Sequence, residues 1–331
     1  MAGLKVISWN MNRNNDIFTV AKVILSGEPD VVLLQEFPLR RLEALRNYIH
    51  PLLPFNIMGN RNIILSNHYI KKVSRIDFGH NKGCLAGKII WYDSELLLLT
   101  THLHNKIEQK RLHSLYTMCC SLMPEICAGT PMIWGGDFNS VSLLDHDLIE
   151  WFKLDEEYQK RSYEPLQFAL TTTMNEMGFT DCWISKGMPT PYDTSVHTTR
   201  VDYLYSLRVN CTYFKHLDYH DSDHRPILGI FDLSPTVVRE GSGIERSAYW
   251  THQIETIDYR MLLLQLDPVS YLNEKTPVGV RTPAPTLVSL RGELYVEIGG
   301  GCSKVKMKVN SELEGKRKHA ISEIIRQGWI P

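Results

Sequence analysis

Short aliphatic runs separated by amphipathic stretches make up the first part of the chain. Runs at 4–7, 31–34, 96–99 and 131–134 are typical of buried strands. Between the first two runs, apolar side chains recur at helical spacing over 16–26, and Gly27-Glu28-Pro29-Asp30 predicts the end of that helix. The same reasoning predicts helices at 39–49, 106–123 and 166–177, and strands at 62–66, 73–78, 85–91, 203–207 and 227–231.

Strands outnumber helices in this pattern, and hairpin-like stretches are mixed with crossovers. Two packed sheets covered by helices accommodate such an order. Beyond Pro235 the pattern changes, because Arg239-Glu240-Gly241-Ser242-Gly243 has the composition of a linker. We therefore expect a main domain over 1–234 and a small α+β appendage over 235–331. The appendage is predicted to contain helices at 251–272 and 311–327 and strands at 287–290, 294–298 and 305–309.

Polar segments follow the predicted strands at the points where they end, and one more precedes a late strand. A rigid sheet can aim such side chains at a common point. Carboxylates, amides and imidazoles gathered in this way are suited to hold a hard divalent cation and to act on a phosphate ester. The segments are Ser8-Trp9-Asn10-Met11-Asn12, Gln35-Glu36, Thr100-Thr101-His102-Leu103, Gly136-Asp137-Phe138-Asn139 and Ser222-Asp223-His224-Arg225-Pro226.

The residues of these segments, and their order along the chain, resemble the motifs of the endonuclease/exonuclease/phosphatase superfamily, the DNase I-like enzymes that cleave phosphate esters with Mg²⁺. Arg200-Val201-Asp202-Tyr203-Leu204-Tyr205 is similar to the Arg-Ile-Asp-Tyr strand of that family. The resemblance extends from about Leu4 to about Asp232. It implies a four-layer α/β/β/α sandwich, in which two mixed sheets are flanked by helices and the site lies at one end of both sheets.

Three residues are the expected metal ligands. Glu36 is the strongest candidate, because a carboxylate directly after a buried strand has little structural reason to be there. Asp223 is expected to add a second contact, direct or through water, and Asn10 to position the metal, its waters or a phosphate oxygen. The expected ion is Mg²⁺, with Mn²⁺ as the alternative, since both prefer oxygen ligands.

The resemblance assigns the catalytic and substrate-binding roles. It implies that His224 acts at the scissile phosphate, with Asp202 as the partner that fixes the tautomer of the imidazole. Asp137 is expected to orient or deprotonate the attacking water. Hydrogen bonds to the phosphoryl group or to that water are expected from Asn139, His102, Asn10 and Asn12. Some relatives have Asp at the position of Asn12, so a direct metal contact from this amide is not implied.

The composition of the chain narrows the class of protein but does not indicate a function. The chain has 331 residues, a formal net charge of −1 and seven cysteines. Because the net charge is close to zero, the protein as a whole does not attract a polyanion electrostatically. The cysteines form no CxxC pair, which favours a reducing compartment, and Cys119 and Cys120 are expected to be buried in a helix. The N-terminal pattern is not that of a signal peptide, and no apolar run suits a membrane span. We expect a soluble, intracellular protein.

The substrate stays open at this stage. The Thr-Thr-His-Leu motif resembles that of the tyrosyl-DNA phosphodiesterase, deadenylase and general nuclease branches of the superfamily. A nuclease or nucleic-acid phosphodiesterase is therefore the first expectation. A phosphatase or phosphodiesterase acting on a small molecule or lipid headgroup is the alternative. A binding module on an inactive scaffold ranks last, because every core catalytic position is filled. The expected partner is therefore a phosphate-ester substrate, nucleic acid first.

Overall fold

The computed structural model describes residues 3–12, 16–146, 148–164 and 166–232, together with two strands between residues 286 and 297. The strands within these residues are β1 (Leu4–Asn10), β2 (Val31–Gln35), β3 (Phe55–Gly59), β4 (Asn62–Ser66), β5 (Ile70–Gly79), β6 (Lys82–Trp91), β7 (Ser94–His102), β8 (Met132–Asp137), β9 (Thr180–Asp181), β10 (Asp202–Leu207), β11 (Asn210–His216), β12 (Ile227–Asp232), β13 (Thr286–Leu290) and β14 (Glu293–Glu297). The helices are α1 (Ile17–Gly27), α2 (Leu42–Ile49), α3 (Glu108–Ser121), α4 (Met123–Ala128), α5 (Leu148–Lys160), α6 (Ala169–Glu176) and α7 (Cys182–Ser185). Single 3-10 turns occupy Leu39–Arg41 and Leu143–Asp145.

Two six-stranded mixed sheets form the framework of the first compact unit. The first sheet has the order β11-β12-β1-β2-β4-β3 and the second has the order β5-β6-β7-β8-β10-β9. Only β1 with β2 and β7 with β8 are parallel neighbours, and the remaining pairs in these sheets are antiparallel. Together with the helices that flank them, the sheets confirm the predicted sandwich.

An apolar layer joins the inner faces of the two sheets. It includes Val6 and Leu33 from the first sheet with Leu98, Ile133 and Leu204 from the second, all fully buried. Alternate positions of the first sheet face the other way and pack on α1 and α2 in a second apolar cluster. This double burial explains why β1 and β2 are almost continuously hydrophobic, since a strand covered on both faces has no polar side.

The second compact unit is described over 106–113, 140–146, 148–164, 166–173, 286–290 and 293–297. Its packing includes the edge-to-face rings of Trp151 and Phe168, whose centroids are 4.8 Å apart. Glu108 is completely buried, but its carboxylate is satisfied by Arg111 at 2.6 Å and by the backbone N–H of Leu170 at 2.7 Å. Buried charge is tolerated when it is paired in this way.

Several predicted elements differ from the observed ones. The helix expected over 106–123 is α3, and it is followed by a separate short helix, α4, that was not predicted. Pro124 lies in the first turn of α4, where its missing N–H is harmless. Cys119 is buried as expected, but the prediction for Cys120 was wrong, since this thiol is exposed. The strands β3 and β11 and the helix α5 were not predicted.

The C-terminal predictions are tested only in part. The strands β13 and β14 pair as an antiparallel hairpin, close to the strands expected at 287–290 and 294–298. The third strand and both helices predicted beyond Pro235 lie outside the described residues. None of the described helices has the length and apolar character needed to cross a membrane.

Candidate active site

The polar strand ends of the two sheets meet at one place. Asn10 at the end of β1 is level with Gln35 at the end of β2. In the other sheet, Asp137 at the end of β8 is level with His102 at the end of β7 and with Asp202 at the start of β10. The chain therefore brings together segments that are far apart in sequence, as expected for a site on a rigid scaffold.

Asp137 lies at the centre of this cluster and is almost fully buried. Its Oδ2 accepts a hydrogen bond of 2.9 Å from Asn10 Nδ2 and lies 3.3 Å from His102 Nε2. His224 Nε2 is 3.9 Å from the same oxygen. The other oxygen, Oδ1, accepts from the backbone N–H of Asn139 at 2.9 Å. Four neighbouring groups thus surround this carboxylate.

The surroundings of Asp137 keep it ionised. Burial alone raises the pKa of this carboxyl group, since desolvation disfavours the charged form. The positive charge of His224 and the hydrogen bond from His102 act in the opposite direction and prevail. The pKa of Asp137 therefore lies below its ordinary value.

His224 forms a short ion pair with Asp202, whose Oδ2 is 2.7 Å from His224 Nδ1. The backbone around this imidazole is fixed as well. Its carbonyl accepts from Trp9 Nε1 at 3.1 Å, and its N–H donates to Ser222 Oγ at 3.1 Å. Ser222 Oγ in turn donates to the carbonyl of Asn10 at 2.8 Å, so the His224 loop is attached directly to the end of β1.

The electrostatics of this pair favour an imidazolium facing a carboxylate at neutral pH. Burial lowers the pKa of His224, but the charges of Asp202 and Asp137 outweigh it and raise the pKa to about 10. Burial raises the pKa of Asp202 to about 6, although the charge of His224 opposes the change. Nδ1 of His224 is engaged with Asp202, so Nε2 is the atom that faces Asp137.

His102 lies between the two acidic groups that the sequence analysis singled out. Its Nε2 is 3.3 Å from Asp137 Oδ2, 3.7 Å from Glu36 Oε1, and in contact with Lys82 Nζ. Nδ1 has no hydrogen-bond partner among the described residues. Burial lowers the pKa of His102, and the neighbouring Asp137 compensates only in part, so the charged form of the ring is disfavoured.

Two of the predicted metal ligands lie beside the histidines of this cluster. Glu36 is next to His102, while Asp223 Oδ1 lies 3.9 Å from His224 Nε2. The Glu36 side chain is 19% exposed and that of Asp223 is 43% exposed, so solvent reaches both carboxylates. Asn10 Oδ1 accepts from the backbone N–H of Asn12 at 3.1 Å and retains a second lone pair. Two partly exposed carboxylates and one amide oxygen fit a cation such as Mg²⁺, which keeps several waters.

A second group of potential ligands is more compact. Atoms of Asp137, Asp202 and His224 all lie within 4.8 Å of one another. However, Asp202 and His224 are already joined by their 2.7 Å contact, which occupies one ligand atom of each. A hard cation prefers oxygen to an imidazole nitrogen. The Glu36 side of the cluster therefore offers the better donors.

The backbone is left-handed at three of the predicted site residues. The φ angles are 44° for Asn12, 55° for Glu36 and 50° for Asn139. Asn adopts this region more readily than most residues, whereas for Glu it is unusual and requires support from the surrounding structure. Part of that support is a 2.9 Å hydrogen bond from the N–H of Phe37 to the carbonyl of Arg61.

Asn139 has a more structural position than the sequence suggested. Its Nδ2 donates to the carbonyl of Leu103 at 3.1 Å and its backbone N–H donates to Asp137. One Nδ2 hydrogen is therefore committed to holding the loop after β7. A contact with substrate would come from the second hydrogen or from Oδ1.

Two features of the site were missed by the sequence analysis. Lys82 contacts His102 but belongs to no polar segment at the end of a strand. Gln35 was noted only as a neighbour of Glu36, yet its Nε2 joins the two sheets by donating to Ser8 Oγ at 3.2 Å and to Thr100 Oγ1 at 2.9 Å. The signal for Gln35 was present, because a polar residue ends an otherwise aliphatic strand. Lys82 carried no such local signal.

Solved structures with the same architecture cover a similar part of the chain. Humanized D. rerio TDP2 carrying 14 mutations has a TM-score of 0.51 at 16% identity, over 70% of this chain and 100% of that chain. A functionally unknown conserved protein from Enterococcus faecalis V583 has a TM-score of 0.51 at 14% identity, over 69% and 99%. The human Nocturnin catalytic domain with bound sulfate anion has a TM-score of 0.50 at 14% identity, over 70% and 95%. At these identities the likeness shows the fold alone.

Sequence comparison shows the family. No curated protein matches the chain. The model of the Endonuclease/Exonuclease/phosphatase family matches residues 7–224, a span that contains every residue of the cluster described above. The chain therefore belongs to the Endonuclease/Exonuclease/phosphatase family.

Proposed function

We propose that this protein is a divalent-metal-dependent phosphodiesterase that acts on nucleic acid. The observation that carries the proposal is the His224–Asp202 pair, which directs Nε2 of the imidazole towards Asp137 at the place where both sheets end. Family membership supports a phosphoric ester hydrolase. The fold shared with a TDP2 and with the Nocturnin catalytic domain is consistent with this class.

The residues of the cluster divide naturally into roles. Glu36, Asn10 and Asp223 would hold the cation, which, when bound, neutralises charge on the phosphoryl oxygens. Asp137 is ionised and accepts hydrogen bonds, so it is suited to orient or deprotonate the attacking water. The imidazolium of His224 is suited to stabilise negative charge on the phosphoryl group, and Asp202 holds it in place.

The remaining amides and His102 would bind the phosphoryl group. Asn10 and Asn139 retain a hydrogen or lone pair beyond their observed contacts, and the backbone N–H of Asn12 donates to Asn10 Oδ1. Nε2 of His102 lies beside Asp137 and Glu36. Each supplies a neutral hydrogen-bonding group, which adds orientation without adding charge.

A reducing, intracellular location is part of the proposal. The six described cysteines, at positions 84, 119, 120, 127, 182 and 211, are free thiols. Free thiols, including the exposed Cys120, are typical of proteins kept in a reducing compartment.

Cleavage assays test the proposed activity. Labelled single- and double-stranded DNA and RNA would be incubated with Mg²⁺, with an EDTA control. We expect cleavage by the parent and a loss on the order of 10²-fold or more in Glu36→Gln and His224→Ala, as is typical when a charge-stabilising group is removed. Glu43→Gln and His50→Gln are matched controls, because both residues are exposed on or beside α2.

The same assay distinguishes the alternative substrate. If every polymer stays intact while a generic phosphodiester such as bis(p-nitrophenyl) phosphate is hydrolysed, the enzyme acts on a small molecule or lipid headgroup. Absence of turnover with all of these substrates would contradict the proposal.

A further inference from the structure

Lys82 brings a positive charge into the cluster from an unexpected element. It is the first residue of β6, half-buried, and its Nζ contacts His102 Nε2. Its charge is close enough to lower the pKa of both His102 and Asp137. A Lys ammonium in this position is therefore part of the electrostatic environment of the site.

The backbone at the start of β6 is held by residues of the β3–β4 hairpin, which belongs to the other sheet. Asn60 Nδ2 donates to the carbonyl of Lys82 at 2.5 Å, and Asn62 Nδ2 donates to the carbonyl of Gly83 at 2.9 Å. Glycine is required at position 83, because a Cβ there would lie 2.6 Å from the carbonyl oxygen of Ile76 in β5 and 2.9 Å from Asn60 Nδ2. Two side-chain amides thus fix the start of β6 next to His102, which limits the positions open to the ammonium group.

The hydrogen-bonding groups around His102 Nε2 do not match one another. When Nε2 carries a proton it can donate to Asp137, but it cannot then accept from the ammonium of Lys82. When Nε2 is unprotonated it can accept from Lys82, but it has nothing to donate to Asp137. An anionic oxygen beside both groups would accept from Lys82 and from the His102 N–H, and would remove the mismatch.

We propose that Lys82 is a substrate-binding catalytic residue whose ammonium group contacts a non-bridging oxygen of the phosphoryl group. The inference rests on the proposed phosphoester hydrolase function and adds a contact that the family motifs in this sequence do not contain. In this position Lys82 and His102 bind the phosphate on the side of Glu36, and His224 acts from the side of Asp223. The contact strengthens as negative charge builds on the phosphoryl oxygens, so it contributes to the chemical step.

The competing explanation is that Lys82 only balances the charge of the buried carboxylates. A counter-ion of this kind would matter for stability, whereas a phosphate ligand would matter for anion binding. Binding of inorganic phosphate in EDTA, measured by calorimetry, separates the two because it requires neither metal nor turnover. The parent would be compared with Lys82→Met, Lys82→Arg and the exposed control Lys22→Met.

We expect Lys82→Met to bind phosphate at least about 10-fold more weakly, Lys82→Arg to retain most of the binding, and Lys22→Met to match the parent, as a direct charge-assisted contact requires. With substrate and Mg²⁺, kcat should fall on the order of 10²-fold in Lys82→Met and recover partly in Lys82→Arg. If Lys82→Met does not fold, Lys82→Gln provides a second neutral side chain.

Two results would overturn the inference: the absence of phosphate binding by the parent, or equal binding by the parent and a folded neutral variant. A variant that loses stability but binds phosphate normally would identify Lys82 as a counter-ion. The phosphate measurement also keeps this inference separate from the proposed function. A parent that binds phosphate through Lys82 but hydrolyses no ester would refute the hydrolase and leave the binding role intact.

Discussion

Asn10 and Asp137 belong to different sheets, yet Asn10 Nδ2 donates a 2.9 Å hydrogen bond to Asp137 Oδ2. Both side chains are buried, at 2% and 1% exposure. The contact therefore joins the two sheets at the place where the proposed catalytic groups meet, and it orients the carboxylate proposed to handle the attacking water. A role in both stability and activity follows from this arrangement.

Replacing Asn10 should affect both properties. We expect Asn10→Ala to lower the free energy of unfolding by about 1–3 kcal/mol, because a buried carboxylate loses a donor. Activity should fall on the order of 10²-fold, since Asp137 is no longer oriented. Denaturant unfolding and turnover would be measured beside Asn67→Ala, which removes a comparable but exposed hydrogen bond to Asp30. Equal effects of the two substitutions would contradict the assignment.

Asp202 is expected to control the protonation of His224. In Asp202→Asn, the pKa of His224 should fall from about 10, because the nearest negative charge is removed. Titration of the imidazole by NMR in EDTA would measure this change, with the exposed Asp93→Asn as the control. An unchanged pKa would show that other groups set the protonation state.

The same pair predicts how stability depends on pH. His224 has a folded-state pKa above its unfolded value of about 6.5, so its contribution is fully present below pH 6.5 and is lost as pH rises towards about 10. Within that window the metal-free parent should lose about 1.4 kcal/mol per pH unit from this group. Asp202→Asn should show a shallower decline in chemical unfolding, and a slope equal to that of the parent would argue against the ion pair.

For His216 we expect the opposite trend, in which the stability of the folded protein decreases as the pH falls. It is buried against Trp183, its Nδ1 lies 2.6 Å from the carbonyl of Pro191, and burial lowers its pKa to about 3. Its contribution is present above the unfolded pKa of about 6.5 and is lost as pH falls towards the folded value. The decline of parent stability between pH 6.5 and 5 should therefore be shallower in His216→Gln, whereas the exposed control His50→Gln should follow the parent. Identical slopes in all three proteins would show that His216 is not buried in its neutral form.

Metal binding can be tested without turnover. A cation that binds only the folded protein stabilises it by about 2.7 kcal/mol at 100 times its Kd. We expect Mg²⁺ to raise the Tm of the parent, EDTA to reverse the change, and Glu36→Gln to show much less of it. Glu43→Gln should respond like the parent. An equal rise in Glu36→Gln would place the cation elsewhere.

The local pattern of apolar residues was sufficient to predict the helices and strands that other elements cover. The helix expected at 16–26 is α1, and the runs at 4–7 and 31–34 lie within β1 and β2, because continuous burial requires continuous apolar sequence. The pattern failed for β3, whose exposed Phe55 and Met58 do not alternate with polar residues in the expected way. Edge strands depend on pairing with a distant neighbour, and local periodicity carries little information about that pairing.

The sequence by itself indicated the family and the residues that meet in the site, because both follow from polar side chains placed at the ends of strands. The two-sheet framework was expected from the resemblance to that family. The roles of the site residues remain proposals. Tertiary structure decided which of them touch: Asp137 is held by Asn10 and His102, His224 is paired with Asp202, and Gln35 joins the two sheets. It also placed Lys82 beside His102, through amides of the opposite sheet. Such contacts join residues far apart in the chain, and only the pairing and stacking of the two sheets sets their distances.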